Sequence, residues 1–131
     1  MIKHYQSEFG NTRGNCLQAC LATVLDLPLE AVPHFATEGS EWFNTLNRWL
    51  NKNHNMGAIY CSPLNPGTLE VMATSDGRYL VGGKAENGNP HVVVYHQGKL
   101  WHDPMPGGEG LKEEEGIIVL FSLLKPTGRL V

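Results

Sequence analysis

Apolar residues recur at Leu17, Cys20, Leu21, Val24 and Leu25, the i, i+3, i+4, i+7, i+8 spacing of a helix with one buried stripe. The spacing predicts a helix from Cys16 to Asp26, ended by Pro28 and capped by the side-chain oxygen of Asn15. Leu29 to Phe35 reads as a short turn of helix that docks Val32 and Phe35 on the core. Ser40 is expected to cap a second helix, from Glu41 to about His54, whose apolar face is Trp42, Phe43, Leu46, Trp49 and Leu50. Beyond it the pattern changes. Met56–Cys61 reads as a strand, and Leu69–Ala73 as a strand or a short helix. Arg78–Gly82 is a strand entering a Gly82-Gly83 loop. His91–Tyr95 and Lys99–Asp103 form a hairpin, and Gly116–Leu124 is a last apolar strand. Helices first and antiparallel strands after predict an α+β fold, with residues 1–131 as one domain. Residues 1–14 read as an extended opening segment, and Glu113-Glu114-Glu115 as a solvated turn.

Composition narrows the classes. A chain of 131 residues has room for one modest core, and 18% charged residues with a net charge of −3 leave no basic stripe for nucleic acid. No apolar run reaches the roughly 18–20 residues of a membrane helix, and Met1-Ile2-Lys3-His4-Tyr5 lacks a secretory apolar stretch. A cytoplasmic location, in a bacterium or a phage-infected cell, is the expectation, with no membrane partner. Three cysteines without dense spacing argue against a disulfide framework. A zinc site recruiting Cys16, Cys20, Cys61, His102 and Asp103 has no CxxC or HxxxH pattern behind it, so no metal or cofactor is called for.

The candidate chemistry is nucleophilic. Cys16 opens the first helix, where free N–H groups and the helix dipole favour a thiolate. His91 and Asp103 arrive on the hairpin and supply a base and a group to orient it. If His96-Gln97-Gly98 is a three-residue loop, Tyr95 pairs with Lys99 and His91 falls opposite Asp103, on one face. A two-residue loop places Asp103 on the other face. His102 is the rival base. Cys20 follows the apolar stripe and reads as core, as do Trp42, Trp49 and Trp101. Gln6 is the candidate side-chain donor of an oxyanion hole, acting with the Cys16 N–H. The loops 36–40, 61–68, 83–90 and 104–115 are expected to line the cleft.

The order Cys, His, Asp resembles papain-like cysteine peptidases, especially the bacterial branch that processes bacteriocin leaders. The chain looks closer still to small phage and bacterial proteins of papain-like type. The likeness rests on Gln6, Phe9-Gly10, Gly14-Asn15-Cys16-Leu17-Gln18-Ala19-Cys20 and Leu27-Pro28-Leu29-Glu30-Ala31-Val32-Pro33-His34-Phe35. Further on it rests on Leu80-Val81-Gly82-Gly83, Pro90-His91-Val92-Val93 and His102-Asp103-Pro104-Met105-Pro106. It implies a papain-like fold, with an N-terminal helix on a small antiparallel sheet. It also implies Cys16 as nucleophile, His91 as base, Asp103 as orienter and Gln6 as oxyanion donor, acting on a peptide, isopeptide or related amide of a peptide or protein substrate. Gln6 lies ten residues before Cys16, a longer gap than in the familiar enzymes, and Asn11, five before, is the substitute. The chain is shorter than most active peptidases of this fold, which leaves little room for an extended peptide cleft. The competing expectations are a transglutaminase-like acyltransferase on the same fold, and a catalytically silent phage protein that binds a host factor. Substrate and oligomeric state are not written in the sequence.

Overall fold

The stripe that begins at Leu17 lies against a five-stranded sheet. The structure is a computed structural model and describes residues 2–10, 14–62 and 65–123. The helices are α1 (Cys16–Leu25), α2 (Trp42–His54) and α3 (Pro66–Thr74). The strands are β1 (Met56–Cys61), β2 (Arg78–Lys84), β3 (Pro90–His96), β4 (Lys99–His102) and β5 (Glu113–Ser122). Two 3-10 segments, Leu29–Ala31 and Phe35–Glu41, join α1 to α2. The strand order is β1-β5-β2-β3-β4 and every pair is antiparallel, so the fold is α+β.

Period-2 alternation divides the core between the two sheet faces. Leu80, Val94 and Ile118 meet Leu17, Cys20 and Leu21 of α1 and Leu46 and Leu50 of α2. Tyr79, Val81, Val93 and Ile117 point the other way and are covered in part by Met72 of α3. At the outer edge of the sheet, the Ala58 N–H donates to Asn47 Oδ1 of α2 at 2.8 Å, which occupies one backbone donor of strand β1. No single helix among the described residues is long and apolar enough to cross a membrane.

Several local expectations are corrected. Asn15 precedes α1, but its side chain does not cap the helix, because its oxygen is used elsewhere. Nor does Ser40 cap α2: the residue before the helix is Glu41, and it too makes no side-chain cap. The segment left open between strand and helix is helical over Pro66–Thr74. Asn65 caps it by accepting the Thr68 N–H at 2.9 Å, and Pro66 stands in its first turn, a start signal that the apolar spacing alone did not display. The acidic run Glu113–Glu115 belongs to β5, not to a turn. Gly82 and Gly83 belong to β2, not to a loop, and Leu124 lies outside the described residues.

Gly83 is there because nothing larger fits. The β2–β5 register shifts between Gly82 and Gly83, and a Cβ added at Gly83 would sit 1.8 Å from the Glu113 carbonyl oxygen. Gly83→Ala is expected to lower stability by about 2 kcal/mol or more, since the clash is with backbone. Urea denaturation checks this, and an unchanged midpoint would mean that the bulge relaxes freely.

Candidate active site

The hairpin determines whether an imidazole and a carboxylate can meet. Its loop has two residues, Gln97 and Gly98, both with positive φ (52° and 81°), the conformation a tight two-residue turn requires. His96 therefore pairs with Lys99 and Tyr95 with Leu100, which corrects the three-residue loop. By itself that register puts Asp103 on the wrong face. A bulge follows: the pairing shifts between Tyr95 and Val94, and Val94 pairs with His102. The extra residue, Trp101, reverses the parity, so Asp103 shares a face with His91 after all, diagonally rather than directly opposed. The two side chains are hydrogen-bonded, with His91 Nε2 2.7 Å from Asp103 Oδ1, and both are buried.

Asp103 is held on every side. Oδ1 also accepts the Met105 N–H at 2.9 Å, and Oδ2 accepts the Gly110 N–H at 2.8 Å. Burial alone would raise its pKa, but the bonds from His91, Met105 and Gly110 outweigh burial and hold the carboxyl below its ordinary value. Burial pushes His91 down. The hydrogen bonds to Asp103 and Cys16, with their negative charge, outweigh it and hold the imidazole up at about 9. With Nε2 committed to Asp103, Nδ1 is the ring nitrogen left for the Cys16 sulfur.

Cys16 is half-buried at the first position of α1, as the spacing predicted. The Asn15 side chain does not cap this end, and no acidic residue stands in the first turn. The first-turn N–H groups thus keep their positive field beside the thiol. Cys20, one turn on, is fully buried, and its Sγ donates to the Val92 carbonyl at 3.3 Å. Burial drives that thiol well above its ordinary range, as suits a core residue. The rival base His102 is turned elsewhere. Its Nε2–H donates to the His4 carbonyl, and its ring packs edge-on to Tyr5. Burial lowers its pKa.

Gln6 reaches the site because its segment folds back over α1. The Gln6 N–H donates to the Pro104 carbonyl at 2.9 Å, and the Ser7 and Glu8 N–H groups both donate to Asn15 Oδ1 at 2.9 Å. One Nε2 hydrogen of Gln6 goes to the Glu8 carbonyl at 3.0 Å, which leaves the second to donate. Its Oε1 is buried with no hydrogen bond among the described residues. Asn11, the substitute, lies outside the described residues. Gln6, Cys16 and His91 all line one cavity of about 430 Å³. Three of the four expected loops contribute to it, with Ala36, Ala85, Asn87, Asn89 and Met105 among their lining residues, and no described residue of 61–68 does. Trp42, expected in the core, packs against it and also lines the cavity, as the first residue of α2.

The chain has no significant match among protein-family models, curated proteins or solved structures.

Sequence reasoning gave Asn15 a capping role and Gln18 no role of its own, and these two residues hold the site together. Asn15 is 1% exposed and uses all its hydrogen-bonding capacity: Oδ1 accepts twice, and Nδ2 donates to Ser7 Oγ at 3.1 Å and Gln18 Oε1 at 3.2 Å. Gln18 then donates to the carbonyls of Leu29 (3.1 Å) and Val32 (2.8 Å). Two amide side chains flanking a helix start that has no charge were the available signal.

Asn15→Ala removes the buried acceptor of the Ser7 and Glu8 N–H groups. It is expected to cost about 2–3 kcal/mol, read as a shift of the urea midpoint; a loss under about 0.5 kcal/mol would mean that water replaces the amide.

The raised His91 value also sets a pH dependence of stability. The His91 contribution is fully present below its unfolded value of about 6.5 and lost as pH rises through about 9. The Asp103 contribution is present above about 3.9 and lost on acidification. Unfolding free energy is expected to fall by up to about 3 kcal/mol between pH 6.5 and 9, and His91→Gln should flatten that slope. Equal slopes in the two proteins would show that His91 is not held cationic by the fold.

Proposed function

We propose that the protein is a cysteine-nucleophile hydrolase of papain-like arrangement, cleaving a peptide, isopeptide or related amide bond. One observation carries the reading: an imidazole bonded at 2.7 Å to a buried carboxylate stands beside a thiol at an uncapped helix start, inside a cavity. Each element of acyl transfer has a group to perform it. His91 takes the Cys16 proton at Nδ1, or holds a thiolate–imidazolium pair, while Asp103 accepts from Nε2 and stabilises the cation. The sulfur attacks the carbonyl carbon. Charge developing on the oxygen meets the Cys16 N–H and the free Nε2 hydrogen of Gln6. The C–N bond breaks, the His91 proton passes to the departing amine, and an acyl thioester remains. Water, deprotonated by His91, then releases the acid and restores the thiol. In this reading His102 is a structural tether, since its Nε2–H is spent on the His4 carbonyl.

Iodoacetamide labelling at pH 6.5 with intact-mass readout tests the pair, with Cys16→Ala as the reference for site. Cys16 should be alkylated first in the wild type and at least about tenfold more slowly in His91→Ala. His102→Ala should label at the wild-type rate. Digestion of a peptide library should be lost in Cys16→Ala without loss of fold. Labelling indifferent to His91, or cleavage that survives Cys16→Ala, overturns the assignment.

A further inference from the structure

The turn that follows Asp103 carries no apolar anchor of its own. Pro106 to Glu109 are exposed, while Asp103 beneath them is only 9% exposed. What the turn packs on is the carboxylate. Its two ends donate to it, the Met105 N–H to Oδ1 at 2.9 Å and the Gly110 N–H to Oδ2 at 2.8 Å. Gly108 crosses between them, with its N–H donating to the Met105 carbonyl at 2.8 Å. There the backbone lies directly against the acid group. A Cβ added at Gly108 would collide with Oδ2 and stand 2.7 Å from Cγ and 3.0 Å from Oδ1. Gly107 and Gly110 have positive φ (73° and 92°), a conformation that favours glycine, but Gly108 is not among the residues of positive φ. Backbone conformation thus accounts for two glycines of the turn, and contact with the carboxylate accounts for the third.

We propose that Gly108 is a positioning residue: because it carries no side chain, the turn closes onto the Asp103 carboxylate and fixes it with Oδ1 toward His91. A methyl group at 108 has to displace either the acid or the turn, since the atoms it meets belong to a group already bonded to His91, Met105 and Gly110. Either movement breaks the two N–H bonds and lets water reach the pair. His91 then loses the fixed partner that orients its ring, and Nδ1 is no longer held toward Cys16. The other titratable groups that face the pair are Cys16 and Cys20 of α1 and His102 of β4, and a methyl at 108 meets Asp103 before any of them. The same turn begins at Pro104, whose carbonyl accepts the Gln6 N–H at 2.9 Å, so its closure is tied to the segment that carries Gln6. That Cys16 gains from the oriented imidazole rests on the hydrolase reading; that Gly108 fixes Asp103 does not.

Two readouts on the full chain test this, in wild type, Gly108→Ala and Gly107→Ala. The first is the His91 Nε2–H proton, followed by NMR after 15N-histidine labelling at pH 6.5, where the imidazole is held cationic. In Gly108→Ala that proton should exchange with water at least about tenfold faster than in the wild type. The second is iodoacetamide alkylation of Cys16. In Gly108→Ala it should be about tenfold slower than wild type at pH 6.5, and equal at about pH 10, where a thiol ionises without help. A general loss of structure would change both rates. Gly107→Ala strains the same turn at φ 73°, but its Cβ meets nothing within 4 Å, so both readouts should stay at their wild-type values. A His91 proton equally protected in Gly108→Ala and wild type, or an equal loss in Gly107→Ala, overturns the proposal. Should Gly108→Ala not fold, amide exchange in the wild type decides: the Met105 and Gly110 amides ought to be protected at least about tenfold over an unstructured peptide, and unprotected amides there overturn closure on the carboxylate. Cys16 labelling indifferent to His91 would overturn the hydrolase reading alone, because the His91 proton still reports on Gly108.

Discussion

The buried amide of Asn15 is the interaction on which the arrangement around Cys16 depends. Its oxygen binds the backbone of Ser7 and Glu8, and its nitrogen binds Ser7 and Gln18. Through Gln18 the same network takes in the carbonyls of Leu29 and Val32, so the segments before and after α1 are registered against its first turn. A side chain engaged in this way cannot also cap its own helix. The consequence is local and electrostatic. The opening turn of α1 receives no capping bond from the residue that precedes it, and the segment bearing Gln6 lines the same cavity as the sulfur.

A second constraint comes from two consecutive residues that do opposite things. His102 reaches the His4 carbonyl and holds the opening segment to β4; Asp103 reaches His91. Adjacent positions on an extended chain face opposite ways, and the bulge at Trp101 decides which of the two faces His91. Trp101 is fixed in turn between the cationic groups of Lys3, 4.6 Å from its ring centre, and Arg78, at 4.2 Å. The carboxylate–imidazole pair thus depends on a residue that touches neither partner.

Much of this was legible in the chain, and the parts that were not have physical causes. Helical periodicity located α1 and α2 to within a residue or so, because the apolar stripe of each is packed against the sheet, although α1 is covered on its other sides as well and has no exposed residue. The apolar residues of α3 defeated the same reasoning: Val71 is 65% exposed and Leu69 41%, so their spacing carries no record of burial. The residues gathered at the cavity, Gln6, Cys16 and His91, were nameable from residue type and order, as was Asp103 behind them. Their register was not. A two-residue turn and a bulge each shift the pairing by one in the same direction, and a shift of two keeps the face while changing the partner, so a count that assumed neither of these features still placed Asp103 on the face of His91. Hydrogen bonds between distant polar side chains, such as those of Asn15 and Gln18, leave no periodic trace and became visible only in three dimensions.

The site is assembled from positions 6, 16, 91 and 103, and the outer strand pairing joins Met56 to Ser122. Contacts of such long sequence separation form late in folding, after the local helices. A ribosome delivers the Cys16 thiol first and His91 seventy-five residues afterwards, about 4–15 s later at ordinary synthesis rates of roughly 5–20 residues per second. Throughout that interval the cysteine has no imidazole to meet. The nascent chain therefore carries the sulfur without its imidazole past the chaperones and neighbouring chains it meets, and the Cys–His–Asp constellation comes into being only when the sheet closes behind it.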